Sequence, residues 1–352
     1  MSIQEKESIT FATTYGHLKD TRAFSSRAKI IKVPSFDPMV DYNLAAQIGI
    51  FWRVMLASLR YKSLLLYSSR GSIKPELLAI ALLGFFPKEK RPAITLNGPM
   101  WEPDTGIQGF FEKILITLVD RAVTLYGVQS TGELTIFPQV WGINPSKIRF
   151  IPYLFSFTEK EINQEFTQEI SNSGNYIFSG GNSHRDYDSL IEAARQLPDH
   201  DFFIASHLLD KRPNLPGNVT ARQVTHKEFV RLMGSANAVV IPMKMNLRRS
   251  TGHQTYLNSM LLMKPTIVND VLGVRDHIQN METAIIVDGS VDSYVSSLKW
   301  VMDPANHTQL QNICENGARD VLRRFSNENH ASKLVELVEE ANAIRKAETR
   351  IE

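Results

Sequence analysis

The chain has 352 residues, 43% hydrophobic and 22% charged, with a formal net charge of +2; the length suits two domains and the composition is that of a globular protein. So small a charge, with a pI near 8.5, gives no case for nucleic-acid binding. The single cysteine, Cys314, excludes an internal disulfide and a cysteine-built metal site and fits a reducing cytoplasm.

The first thirty residues lack the apolar core of a signal peptide, and residues 1–28 show no assignable pattern. The longest apolar runs, such as Leu77 to Phe86, are too short to span a bilayer. From residue 29 onward strand and helix signals alternate, which predicts an α/β fold with parallel sheets. In the first half the spacing predicts strands at 29–33, 63–68, 93–97, 121–127 and 148–153, with helices near 43–60, 75–86, 107–119 and 129–139. The helix over 43–60 mixes Ile50, Phe51, Trp52 and Leu56 with Arg53, Arg60 and the following Lys62. It reads as a core-facing helix with basic ends; the alternative is peripheral contact with an anionic membrane.

The segment "ITLNGPMWEPDTG" follows a predicted strand and holds Asn97, Trp101, Glu102 and Asp104. An indole with carboxylates and an amide suits a sugar-binding surface, which makes Trp101, Glu102 and Asp104 candidate acceptor contacts. A Gly/Pro-rich turn with a core tryptophan is the equally simple alternative. Residues 155–175 are polar, end in Ser, Asn and Gly, and read as a linker.

The second half repeats the rhythm, with strands at 176–181, 201–206, 219–224, 238–242, 266–270 and 284–288 and helices at 186–196, 226–235, 254–263 and from about 291. Two glycine loops stand out. In "FSGGNSHRDYDSLIEAARQL" a strand runs into Gly180 and Gly181, then Ser183 and Arg185, with Asp186 where an N-cap would open a helix. Paired glycines let a ligand approach the backbone, and Arg185 is placed to reach a phosphate. In "AVVIPMKMNLRRSTGHQTYLNSMLLMKP" a strand leads through Lys244, Arg248 and Arg249 to Ser250, Thr251, Gly252, His253, Gln254 and Thr255, then into a helix carrying Asn258 that Lys264-Pro265 stops. A loop at the carboxyl end of a parallel strand, opening a helix whose first N–H groups lack partners, suits a phosphate or diphosphate. Taken singly, each loop is equally compatible with an ordinary capped turn. There is no G-x-G-x-x-G, P-loop or G-x-S-x-G, and the histidines show no metal-ligand spacing. No metal or other cofactor is therefore expected.

The order of these motifs resembles retaining GT-B glycosyltransferases of the family 4 type, over roughly 90–335 and most closely over 176–290. "FSGGNSHRDYDSLIEA" is similar to the opening of that family's donor domain, "ANAVVIP" to the strand before its sugar site, and "KPTIVNDVLGVRDHI" to the segment after it. "RRFSNENHASKLVELVEE" resembles its closing helix.

The resemblance implies two Rossmann-like domains facing each other across a cleft. These are an acceptor domain over 1–155, a donor domain over 156–330 and a closing helix over 331–352 packing back toward the first. It implies a metal-independent, retaining hexosyltransferase that moves a sugar from a nucleoside diphosphate to a hydroxyl of a glycan, lipid-linked or small-molecule acceptor, in polysaccharide biosynthesis. The protein would be cytoplasmic, with peripheral contact at the inner face of the membrane as the further option. Asn97, Arg185 and Arg249 take the catalytic places, and the residues of the two glycine loops, with Asn258, take the donor. The chain departs from the pattern where the family carries two glutamates eight positions apart. Ser250 and Asn258 stand there, and Asn97 stands where many members have a histidine. A non-catalytic sugar-nucleotide or glycan-binding relative and a GT-B sugar-nucleotide epimerase are the alternatives.

Overall fold

The computed structural model describes residues 10–32, 44–67, 74–157 and 174–351; most of the expected linker over 155–175 lies outside them. The chain divides into two compact units, one of Met1–Pro152 with Asn327–Glu352 and the other of Tyr153–Ser326.

The first unit is built on six parallel strands, β1 (Phe11–Thr13), β2 (Ala28–Ile30), β3 (Ser63–Tyr67), β4 (Ala93–Asn97), β5 (Val123–Val128) and β6 (Ile148–Phe150), in the order β2-β1-β3-β4-β5-β6. β3, β4 and β5 are buried almost throughout, which is why they read as continuous apolar runs rather than alternating ones. Helices Leu44–Arg60, Pro75–Leu83 and Gly106–Asp120 connect the strands from β2 through to β5. The last helix, Asn327–Ile351, packs against β3, β4 and β5 and against the short helix Arg22–Ser25. Glu328 fixes its start by accepting the backbone N–H groups of Arg22 and Ala23. β1 lies in the stretch whose pattern could not be assigned. It is only three residues long, yet it pairs with both β2 and β3.

The second unit holds β7 (Tyr176–Gly180), β8 (Asp201–Ala205), β9 (Val219–Arg222), β10 (Ala238–Ile241), β11 (Thr266–Asn269) and β12 (Ile285–Val287), all parallel, in the order β12-β11-β10-β7-β8-β9. Counted from β7 and read from the other edge this is 3-2-1-4-5-6, the order of a doubly wound nucleotide-binding sheet. The strand order reverses between β7 and β10, which are parallel neighbours. The loops leaving the carboxyl ends of those two strands therefore border the crevice where such sheets bind ligands, and they are the two glycine loops.

Candidate functional site

β7 delivers the first loop. Gly180 is buried, and a Cβ there would lie 2.4 Å from a ring carbon of Phe229, so this glycine is required by core packing. Gly181 has a φ of +112°, and a Cβ there would lie 2.7 Å from Nη2 of Arg185. Its job is to let the Arg185 side chain fold back over the loop. Arg185 is 6% exposed. Its Nε donates to Gly180 O at 3.0 Å, Nη1 to Ser183 O at 2.9 Å and to Met243 Sδ at 2.8 Å, and Nη2 to Thr255 Oγ1 at 2.9 Å.

The second loop is latched to the first. Asp186 N–H donates to Pro242 O at 2.9 Å and Lys244 N–H to His184 O at 2.9 Å, with Arg185 and Met243 paired as an antiparallel bridge. Asn269, at the end of β11, closes the latch from below: its Oδ1 accepts Met243 N–H at 2.7 Å and its Nδ2 donates to Met243 O at 2.8 Å. Arg249 is buried and its Nη2 lies 2.7 Å from His184 Nε2. Ser250 and Thr251 are buried, while Lys244, Arg248 and Gln254 are exposed.

Gly252 then takes a left-handed φ of +84°, and a Cβ there would lie 2.9 Å from Met243 Sδ. It caps the helix His253–Leu261. The helix start thus meets Arg185 through Thr255, and its first N–H groups and positive dipole end lie beside the buried guanidinium.

The electrostatics of this corner favour an anion. Burial pulls the Arg185 pKa below the usual arginine value, but a guanidinium stays charged. Its hydrogen-bond partners are two carbonyls, a hydroxyl and a thioether, and no carboxylate among the described residues forms an ion pair with it. A buried charge satisfied only by neutral acceptors gains from an incoming anion.

His253 stacks on Tyr153 at 5.3 Å between ring centroids and meets His277 at 4.9 Å. Burial first, then the charges of His277 and Arg249, hold it well below the normal histidine range, so its ring is neutral. Its Nε2 is buried with no hydrogen-bond partner among the described residues.

Asn258 is differently employed from expectation. Its Oδ1 accepts Ser156 N–H at 3.0 Å and its Nδ2 donates to Ser156 Oγ at 2.7 Å, so the amide ties down the chain entering the unit. Each end of the amide already carries one bond within the unit, which leaves one N–H and one oxygen lone pair for any ligand.

In the first unit Asn97 ends β4. Its Nδ2 donates to Tyr15 Oη at 2.8 Å, the tyrosine hydroxyl lies 3.0 Å from Asn97 O, and Asn97 Oδ1 is buried with no partner among the described residues. Gly127 makes room for that amide, since a Cβ there would lie 2.1 Å from Oδ1. Trp101 sits in the core of this unit, its ring 5.7 Å from Phe137 and 5.8 Å from Trp141. The core reading replaces the sugar-stacking one, because an indole walled in by aromatic rings offers no open face. Glu102 is half-buried and Asp104 is exposed.

The structure therefore gathers Gly181, Ser183, Arg185, Lys244, Arg249, Ser250, Thr251, Gly252, His253 and Thr255 on two joined loops of one unit. Asn97, the last residue of β4, and Trp101, Glu102 and Asp104 in the segment after it belong to the other. Sequence reasoning missed Met243, His184 and Asn269. An asparagine at the end of a predicted strand was the one available signal for the last. Among the described residues no three His, Cys, Asp or Glu side chains stand together as a metal site would require.

No protein-family model matches the chain and no curated protein matches it. Its fold matches several solved structures. A glycosyltransferase from Rickettsia africae superposes with a TM-score of 0.62 at 12% identity, over 95% of this chain and 99% of that one. Alr3699/HepE of Anabaena, in complex with UDP, superposes with a TM-score of 0.65 at 14% identity over 95% and 100%. Sucrose-phosphate synthase of Thermosynechococcus elongatus gives 0.61 at 13% over 90% and 84%. The chain has the GT-B fold, two Rossmann-like domains each built on a six-stranded parallel sheet.

Proposed function

We propose that the protein is a glycosyltransferase that uses a nucleoside-diphosphate sugar, with the donor diphosphate held where the loops after β7 and β10 meet. The observation that carries this reading is Arg185, a buried guanidinium bonded only to neutral acceptors beside a helix start, at the switch point of a doubly wound sheet. The fold relative from Anabaena is described in complexes with UDP, with UDP and glucose, and with UDP-glucose, which makes a uridine nucleotide the first donor to test.

In this reading the bond between the anomeric carbon and the diphosphate breaks while an acceptor oxygen bonds to that carbon. The leaving diphosphate takes the acceptor's proton. Arg185 and the helix start stabilise the charge growing on the diphosphate. The exposed Lys244 and Arg248 reach it from solvent, and the neutral His253 has a free nitrogen with which to accept a hydrogen bond. Arg249 holds His184 and adds positive charge. Front-side displacement of this kind retains the anomeric configuration. It draws on Asn97 only as an acceptor-side amide.

A second reading, a nucleotide-sugar binder without turnover, is favoured by the Asn258 amide being partly occupied and by a buried serine, Ser250, where a carboxylate would touch the sugar. Nucleotide release separates the two. Purified protein given UDP-, GDP- and ADP-hexoses with candidate hydroxyl acceptors is expected to release the nucleoside diphosphate from one of them. The rate should be the same in EDTA, since cationic side chains rather than a metal offset the leaving charge. Binding without release would favour the second reading. Activity lost in EDTA and restored by one divalent ion would show that the charge is offset differently.

A further inference from the structure

Eighteen large hydrophobic side chains are exposed among the described residues, and thirteen of them sit on three neighbouring segments of the first unit. The helix Leu44–Arg60 turns Ile50, Val54 and Ala57 inward and leaves Leu44, Ile48, Trp52, Leu56 and Leu59 outside, with Trp52 at 59% and Leu59 at 81% exposure. Pro75–Leu83 and the turn after it present Leu78, Leu82, Phe85 and Phe86. Gly106–Asp120 presents Ile107, Phe110, Phe111 and Ile114, with Ile107 at 78% exposure. Scattered single residues of this kind are ordinary, but a contiguous set on one face marks an interaction surface.

The set is contiguous. These helices connect β2 to β3, β3 to β4 and β4 to β5, successive steps in one direction across the sheet. Right-handed crossovers put all three on one face, and they pack side by side.

The charges on this face choose the partner. Arg53 and Arg60 flank the exposed apolar stripe of the first helix, and Lys113 and Arg121 that of the third; all four are exposed. The carboxylates of the same helices are withdrawn, with Glu76 buried, Glu112 paired to Lys74 at 2.7 Å and Asp120 paired to Lys147 at 3.0 Å. Phe110, Ile114 and Leu118 floor a recess of about 240 Å³ rimmed by Lys113 and Arg121. A second copy of the chain would bring cation against cation across a two-fold contact. An anionic lipid surface supplies an apolar layer for the aromatic and aliphatic side chains, and phosphates for the bases around them. No helix among the described residues is long and apolar enough to cross a membrane, so the contact is interfacial.

We infer that this three-helix face docks the protein onto anionic lipid bilayers, with Trp52, Leu59 and the Phe110–Phe111 pair inserted among the headgroups. The inference stands apart from the donor site.

The test is sedimentation of the full chain with vesicles of phosphatidylcholine alone or mixed with phosphatidylglycerol. The protein is expected to pellet with the mixed vesicles, weakly with the neutral ones, and less as salt rises. Trp52→Glu and Phe111→Glu should each lower the partition at least about tenfold, and Lys113→Glu or Arg121→Glu about fivefold or more. All four positions are exposed, so melting temperatures should not move. The unaltered protein gives an independent readout: brominated lipid should quench part of its tryptophan fluorescence, and Trp52→Phe should abolish that quenching. Failure to pellet with anionic vesicles at low salt would overturn the inference, as would equal binding to both vesicle types. Self-association dispersed by Trp52→Glu, without vesicle binding, would assign the face to a second copy instead.

Discussion

Replacing Arg185 with alanine is expected to weaken nucleoside-diphosphate binding by about 1.5 to 3 kcal/mol, roughly tenfold to over a hundredfold. Two effects combine. The guanidinium is the buried positive charge next to the helix start, and it also braces the loops by donating to Gly180 O, Ser183 O and Thr255 Oγ1. The variant should melt lower as well, because two loop carbonyls lose their donor, at a cost of about 1 to 3 kcal/mol. Calorimetric titration of the folded variant with UDP, GDP and ADP separates the two effects. Affinity for all three equal to that of the parent, in a protein that merely melts earlier, would reduce Arg185 to a structural brace.

A fall in stability on acidification, carried by buried histidines, is the second large effect. Burial pushes His277 down to about 4, against upward pulls from the Gly273 carbonyl and nearby carboxylates, and it pushes His330 down to about 4 as well. His277 Nδ1 lies 2.9 Å from Gly273 O, so that nitrogen carries the proton, and Nε2 is buried with no partner among the described residues. Charging the ring would place a second N–H where nothing accepts it.

Because both folded values lie below the ordinary 6.5, the unfolded chain takes up protons first as pH falls. The stability from these rings is complete above pH 6.5 and disappears as pH drops toward 4. Each contributes roughly 3 kcal/mol over that range. Thermal melts at pH 7 and pH 4.5 should show the loss. His277→Asn, which keeps a donor toward Gly273 O, should melt lower at pH 7 yet lose less between the two pH values. An unchanged slope in both His277→Asn and His330→Asn would show that other groups control the acid transition.

The alternation of elements was legible because buried parallel strands are apolar on both faces. The runs at β3, β4, β10 and β11 announce themselves, and glycines mark the loops that follow β7 and β10. β1 was not legible: three residues, "FAT", carry too little pattern, and its place comes from pairing with β2 and β3 rather than from its own sequence. The two glycine loops were found as separate motifs, but their joining was not. Asn269 grips Met243 across 26 positions and Asn258 grips Ser156 across 102, and no local signal encodes partners so distant. The same limit misassigned Trp101, whose composition fits a sugar platform and whose neighbours make it core. On the helix Leu44–Arg60 an apolar residue pattern reads as one buried stripe. The sequence left membrane contact only as its alternative; the packed structure shows that the helix has a second apolar side, and that the next two helices extend it.

The most direct test of the donor-site assignment is a crystal structure of the protein with UDP. The assignment requires the diphosphate to lie within hydrogen-bond distance of Arg185 and of the backbone N–H groups at the start of His253–Leu261, with His253 Nε2 close to the ligand. A diphosphate ordered at any other place on either unit, with the loops after β7 and β10 unchanged and empty, would contradict it.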